Sequence, residues 1–254
     1  MSVSRRGMMA RGAALLGTGA ALGGCQRILE TGPVSDVVYS LDEFTRDAQR
    51  LVTDRRALAP EYALSQRSPV FRANGSRTVD TPEYRRMLAN GFADYRVRIG
   101  GLVRRPLELS LRDLTNLPAR TQVTKHDCVE GWSAIGAWTG TPLKLLLDMA
   151  GLDRTRARYI LFRCADNYGD TPYYETIDMI EAFHPQTIMA WRMNGEMLPE
   201  RHGAPLRLRV ERQLGYKHAK FVTGIEAIAD FANVAGGKGG YWEDSARYAW
   251  WAGI

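Results

Sequence analysis

The chain of 254 residues is 45% hydrophobic and 24% charged, the balance of a globular protein with room for one large or two small domains. Its formal charge of +6 shrinks to +3 once residues 1–24, with Arg5, Arg6 and Arg11 and no acid, are set aside. With no basic stripe, aromatic-interleaved run, repeat or low-complexity tract, so mild an excess excludes nucleic acid as the expected partner.

The first segment, MSVSRRGMMARGAALLGTGAALGGC, has the basic start, weakly apolar middle and small-residue end of an export leader. It is too short and Gly-rich to span a membrane. Ser4-Arg5-Arg6-Gly7-Met8-Met9 resembles a twin-arginine signal and Leu22-Gly23-Gly24-Cys25 a lipobox. Residues 1–24 are therefore read as a leader, with a periplasmic location and a lipid anchor at Cys25 expected. A plain leader with an incidental cysteine is the alternative.

Residues 25–69 read as a linker with one amphipathic helix. Ser40 and Glu43 form a capping-box pattern, and Leu41, Phe44, Ala48, Leu51 and Val52 follow helical spacing. Residues 57–80 are irregular around Pro60, Pro69, Asn74 and Gly75, and Thr81-Pro82 opens a short helix. From Tyr95, YRVRIGGLVRRPLEL alternates and breaks at glycines and proline as a hairpin or meander does. Ser110 caps a helical turn that Pro118 stops; RTQVTKHDC is a strand, and Thr141-Pro142 opens a helix over Leu143 to Met149 that Gly151 ends. RARYILFRCAD, TIMAWRM, APLRLRV and AKFVTGIEAIAD read as strands, TIDMIEAF as helix, and Asn-Tyr-Gly-Asp at 167–170 as a loop. Strands with scattered short helices, without regular βαβ alternation, predict an α+β domain over residues 70–254.

Two clusters carry candidate chemistry. Cys128 follows a strand and precedes Glu130, Gly131 and Trp132; a thiolate there is a soft metal ligand or a nucleophile, and a buried inert cysteine is the bland reading. His126, two residues earlier, makes a His-x-Cys pair without the further ligands that zinc needs. A Cys–His hydrolase would draw its base from His126, His184, His202 or His218. A disulfide between Cys128 and Cys164 is also open. The second cluster, RHGAPLRLRVERQLGYKHAK, concentrates His202, Arg207, Arg209, Lys217, His218 and Lys220 around a Gly/Pro bend. The set suits phosphate or another anion, or else forms a solvated basic strand edge. CADNYGDTPYYET, with Asp166, Asp170 and Glu175, is a weaker cation candidate, and the aromatic tail GGYWEDSARYAWWAGI either walls a pocket or packs on the core.

Read together, CVEGWSAIGAWTGTPLKLLL and HGAPLRLRVERQLGYKHAK resemble the molybdopterin-binding domain of the sulfite oxidase family, the first being similar to its methionine-sulfoxide reductase branch. GGLVRRPLELSLRDL and the MNGEMLP turn fit as well, so the resemblance covers roughly residues 70–254. It implies a molybdenum–molybdopterin cofactor with Cys128 as metal ligand and Glu130 as an acid beside it. It further implies that Asn74, His202, Arg207, His218, Ala219 and Lys220 hold the pterin and its phosphate. Cys164, which stands where the reductase branch has threonine, falls at a cofactor contact. The implied activity is oxygen-atom transfer on a small or protein-bound sulfoxide or sulfur-oxo substrate. Ser133 stands where sulfite oxidases carry a substrate-binding arginine, which points away from sulfite, whereas HGAP and the tail lean toward the sulfite oxidase side. With no CxxCH haem motif in the chain, electrons are expected to pass through a separate protein, a cytochrome or a membrane haem protein. The alternative from another class is an envelope lipoprotein that keeps the fold, lacks turnover and docks a redox partner.

Overall fold

Strand Arg96–Gly101 (β1) buries Val97 and Ile99 and exposes Arg96 and Arg98, the alternation that its sequence predicts. It ends at Gly101, whose φ of 75° and close approach to the Ala227 backbone leave no room for a Cβ. The chain returns antiparallel as Leu107–Ser110 (β2). This hairpin belongs to a computed structural model that describes residues 44–51 and 54–254. The chain divides into two compact units between Thr53 and Asp54. In the first, residues 44–51 are helical, as the amphipathic spacing predicts. Ser40, Leu41, Glu43, Val52, Cys25 and the leader lie outside the described residues.

In the second unit the remaining strands are Arg120–Asp127 (β3), Ser133–Pro142 (β4), Tyr159–Tyr168 (β5), Thr171–Asp178 (β6), Ile188–Met193 (β7), Glu196–Met197 (β8), Arg207–Arg209 (β9) and Val222–Ile228 (β10). One sheet runs β2-β1-β10-β5-β6 and is mixed, with β1 parallel to β10 and its other pairs antiparallel. The other runs β3-β4-β7-β8, with β9 pairing to β7, and is antiparallel throughout. This is the expected α+β architecture.

The helices are short, and local signals place them. Thr81 caps Pro82–Ala89 (α1), with proline in the first turn, and Ser110 and Asp113 form a capping box on Leu111–Asn116 (α2). Leu143–Ala150 (α3) buries Leu143, Leu146, Leu147 and Ala150 on one face and stops at Gly151 with φ 70°. Each of those buried leucines contributes roughly 1.5–3 kcal/mol relative to exposure. Helix α3 therefore anchors the main core, which also takes Val97, Ile99, Ile160, Phe162 and Ile225.

Three local readings change. TIDMIEAF is strand as far as Asp178, and only Met179–Ala182 (α4) is helical. Thr176 and Ile177 are β-branched and pair with Leu161 and Ile160, so sheet pairing overrides the apolar spacing. The stretch 167–170 is not wholly a loop: Asn167 and Tyr168 complete β5, and only Gly169 and Asp170 turn. Cys128 and Cys164 are free thiols, so the bridge left open above is absent.

Candidate active site

Strand β3 delivers Asp127 to the end of its sheet, and the chain then folds tightly before β4. Cys128 N–H donates to Trp132 O (2.9 Å) and Gly131 N–H to Cys128 O (3.0 Å), with Gly131 at φ 84°. The turn holds the Cys128 thiol in the wall of a cavity of about 370 Å³, together with Asn74, Glu130, His218 and Lys220. An adjoining cavity of about 770 Å³ shares Ala73, Arg77 and Glu130 with it and reaches His202. The Glu130 N–H bonds the sulfur; burial, and secondarily the Glu130 charge, hold the thiol pKa above its ordinary value. The Glu130 carboxylate itself stays exposed and accepts from Trp132 Nε1 at 2.8 Å. Ser133 turns to Asp127 instead of the cavity.

The basic cluster is buried throughout, which removes the solvated-edge reading. Arg207 and Arg209 are 0% exposed and flank the Trp138 ring, their guanidinium carbons 4.9 and 4.4 Å from its centroid. Arg209 is neutralised by Glu211 (2.9 and 2.5 Å) and Lys217 by Glu175 and Glu243 (2.5 and 2.6 Å), so these two cations are already taken. Among the described residues, Arg207 and Lys220 have no carboxylate within hydrogen-bonding distance. Arg207 Nη1 donates to His202 O (3.0 Å), while its Nε and Nη2 have no partner. Burial, then the Arg209 charge, bring Arg207 down to about 9. Lys220 donates to the carbonyls of Asn74 (2.6 Å) and Ser76, and burial, then Arg207, bring it down to about 7. A buried positive field with unpartnered donors is the electrostatic signature of a site built for an anion.

The histidines are neutral at pH 7. Burial first, then Arg207, takes His202 to about 3, and burial takes His126 and His218 well below their ordinary value. Arg209 can only donate, so His126 Nδ1 accepts at 2.9 Å and its ring hydrogen sits on the unpartnered Nε2. His218 Nε2 must donate to Gln213 O at 3.0 Å, leaving Nδ1 as an unpartnered acceptor. The two rings lie 4.9 Å apart. Neither free nitrogen bonds the Cys128 sulfur, so the thiol–imidazole pair of a hydrolase is not formed. Among the described residues no group of three or more His, Cys, Asp or Glu side chains could hold a metal.

Gly215, on the 3-10 turn Gly215–Lys217, completes the cradle: an added Cβ would meet His126 Nε2 at 2.6 Å. Gly215→Ala is expected to displace the Arg209-fixed imidazole, destabilise by about 1–3 kcal/mol and shrink the cavity. Thermal unfolding and ligand-loading assays check this.

Of the residues singled out in the sequence, Asn74, Cys128, Glu130, His218 and Lys220 line the smaller cavity and His202 the larger. Ala219 is buried between His218 and Lys220, donating to nothing outside its own turn. Cys164 is buried beside Lys220 and Asp166, its thiol raised well above the ordinary value by burial, and it does not line the smaller cavity. Arg77, Tyr168, Trp242 and Tyr248, not singled out as site residues, also line that cavity, as does Asp166, marked only as part of a weaker cation candidate. For Asp166 and the two tail aromatics the available signal was their place in polar and aromatic stretches already marked as candidates.

A family model described as the oxidoreductase molybdopterin binding domain matches residues 84–233. A provisionally named protein-methionine-sulfoxide reductase subunit of Azospira oryzae, YedZ1, is 36% identical over 250 residues, 98% of this chain and 88% of its own length. The protein-methionine-sulfoxide reductase catalytic subunits MsrP of Campylobacter jejuni and Gluconobacter oxydans are 31% and 36% identical. Those alignments cover 55% and 52% of this chain, and 51% and 46% of the relatives. Among solved structures, the sulfane dehydrogenase SoxCD of Paracoccus pantotrophus matches with a TM-score of 0.49 at 24% identity, covering 54% of this chain and 39% of that one.

Proposed function

Because the chain belongs to the oxidoreductase molybdopterin-binding domain family, we propose that it is an exported molybdenum enzyme transferring an oxygen atom from a sulfoxide or related sulfur-oxo substrate, small or protein-bound. The observation that carries this reading is one soft sulfur, Cys128, in a cavity wall that it shares with Lys220, while neither Lys220 nor the buried Arg207 has a carboxylate hydrogen-bond partner among the described residues. The unpartnered donors on Arg207 and His126, and the acceptor on His218, fit an anionic pterin with its own polar edges.

In this reading Cys128 ligates the molybdenum. Arg207, Lys220 and His202 clamp the phosphate, with His218, Ala219 and Asn74 along the pterin and Cys164 packed behind Lys220. When bound, the molybdenum–pterin group supplies the two-electron oxygen-transfer chemistry, which side chains alone lack. Glu130, held at the cavity mouth by Trp132, holds and passes a proton at its carboxylate toward the substrate oxygen. Tyr168, Trp242 and Tyr248 exclude water from the cavity. The reductive direction follows the name of the Azospira oryzae relative, and Ser133 in place of an arginine fits it.

Residues 1–24 act as the leader and 25–69 as a linker, with 70–254 as the catalytic domain. A lipid on Cys25 would hold the enzyme in the periplasm near a membrane haem protein or cytochrome that supplies electrons. No helix among the described residues is long and apolar enough to cross a membrane. The test is molybdenum and pterin content of full-length protein from a host that makes molybdopterin, with dimethyl sulfoxide turnover from a reduced viologen. Near-stoichiometric metal and turnover are expected. Metal-free, pterin-free protein from a host that loads a control molybdoenzyme would overturn the reading.

A further inference from the structure

Behind the aromatic wall of the cavity lie three charged side chains that take no part in holding an anion. Glu175 on β6, Lys217 on the Gly215–Lys217 turn and Glu243 on Tyr241–Ala246 (α5) are each at most 1% exposed. Lys217 Nζ donates to Glu175 Oε1 at 2.5 Å and Glu243 Oε1 at 2.6 Å, and lies 5.4 Å from the Trp250 ring centroid. Glu175 Oε1 also accepts from Thr176 N–H at 2.8 Å, while Oε2 of each glutamate has no hydrogen-bond partner. Gly240 lets the carboxyls approach, since a Cβ there would lie 2.1 Å from Glu243 Oε2 and 2.6 Å from Glu175 Oε1.

One ammonium against two carboxylates leaves a net negative charge in a dry site, which is expensive unless a proton removes it. Glu175 is the group that keeps it: burial, then the Glu243 charge, raise its pKa well above the ordinary value. Tyr173 and Tyr174 from β6 and Cys164 from β5 lie within electrostatic reach of Glu175, each held protonated, chiefly by burial. Asp244 on α5 faces away to Tyr174 and to the main-chain N–H groups of Gly236 and Lys238.

The three partners come from separate parts of the site. Lys217 adjoins Tyr216 and His218, Glu243 adjoins Trp242, and Glu175 lies two residues from Tyr173; all four neighbours line the cavity. Tyr216 adds a hydroxyl bond to Ala249 O at 2.6 Å, next to Tyr248. We infer that Glu175, Lys217 and Glu243 are positioning residues, a buried triad that locks the C-terminal aromatic wall against the loop carrying His218 and Lys220. The inference rests on the reading of this cavity as the substrate and cofactor site.

Charge counting sets the test. Glu175→Gln replaces a protonated carboxyl by an amide and leaves one Lys–Glu pair. Glu175→Gln with Glu243→Gln leaves Lys217 buried without a counter-charge, and adding Lys217→Met removes the charge again. Full-length proteins from a molybdopterin-making host are compared by thermal unfolding from pH 5 to 10, by molybdenum content, and by KM and kcat for dimethyl sulfoxide.

The single variant is expected to keep the wild-type KM and to unfold at or above the wild-type temperature at neutral pH. The double should lose roughly 6–20 °C and raise KM roughly tenfold or more, and the triple should recover most of both. Stability contributed by the Glu175 proton is fully present below about pH 4.3, the ordinary carboxylate value, and is lost as pH rises through the raised folded pKa. Wild type should therefore decline relative to Glu175→Gln as pH is raised from 5, until the folded carboxyl itself ionises. A pH-independent difference between those two, a single variant as damaged as the double, or no recovery in the triple overturns the triad. Absence of molybdenum from wild type would instead count against the proposed function, and the unfolding series would still decide the triad.

Discussion

Cys128→Ala is expected to yield a folded protein that has lost both its molybdenum and its oxygen-transfer activity. The turn around Cys128 is held by main-chain hydrogen bonds to Trp132 and Gly131, which alanine keeps. Removing one small, mostly buried sulfur should cost no more than about 1 kcal/mol of stability. The loss in metal content should be far larger. Losing even a group that supports a metal ligand lowers affinity by roughly 10–100-fold, and on the function proposed above the ligand itself goes. No set of three His, Cys, Asp or Glu side chains stands near enough, among the described residues, to replace it. Cys128→Ser sharpens the test, because serine keeps the shape but offers a hard, neutral hydroxyl to a soft site. Metal analysis with circular dichroism as the folding control checks both variants. Wild-type molybdenum content and turnover in either would remove Cys128 from the metal.

The elements that were legible in the sequence are those whose local signal agrees with their tertiary setting. The Val97/Ile99 alternation, the Ser110 cap and the Leu143–Gly151 helix each carry a short-range pattern that packing reinforces. Strand β4 was not read as one, because SAIGAWTGTP is rich in small residues. The structure supplies the reason at Gly140, where a Cβ would meet Met189 O at 2.3 Å, so close pairing with β7 demands a residue that weakens the strand signal. Strand β6 was not read as one, its end being taken for helix, because Thr171–Asp178 is recognisable only through its pairing with β5.

For the site, the residue types were legible and their charge balance was not. Arg209 and Lys217 looked like part of one anion-binding set, yet both are neutralised. Glu211, two residues along from Arg209, was a visible hint. Glu175 and Glu243 lie 42 and 26 residues from Lys217, and only the fold brings them there. What remains uncompensated is smaller and more specific than the sequence suggested.

Arg207→Met is expected to separate cofactor retention from stability, moving them in opposite directions. In the protein without its cofactor, Arg207 is a fully buried cation beside Arg209, with two guanidinium nitrogens unpartnered. Its hydrogen bond to His202 O and its stacking on Trp138 offset part of the desolvation. The fall in its pKa to about 9 says that the balance still opposes the charge. The sign follows by linkage: between about pH 9 and the ordinary arginine value the unfolded chain binds the extra proton, so Arg207 costs stability at neutral pH and the cost fades as pH rises through that window. An apolar side chain of similar length should therefore leave the cofactor-free protein as stable as wild type or more so, by up to about 1–4 kcal/mol. It should also relieve Lys220, whose fall to about 7 owes its second-largest part to Arg207. An anion on the wild-type site reverses these terms, because it supplies the missing counter-charge to both cations at once. The variant should accordingly release pterin and molybdenum on dialysis at salt concentrations that wild type withstands, and should lose most of the rise in unfolding temperature that loading gives wild type. Unfolding curves of both proteins, loaded and stripped, are the measurement. A stripped variant well below stripped wild type, with cofactor retained, would mean that Arg207 serves the core and not the anion.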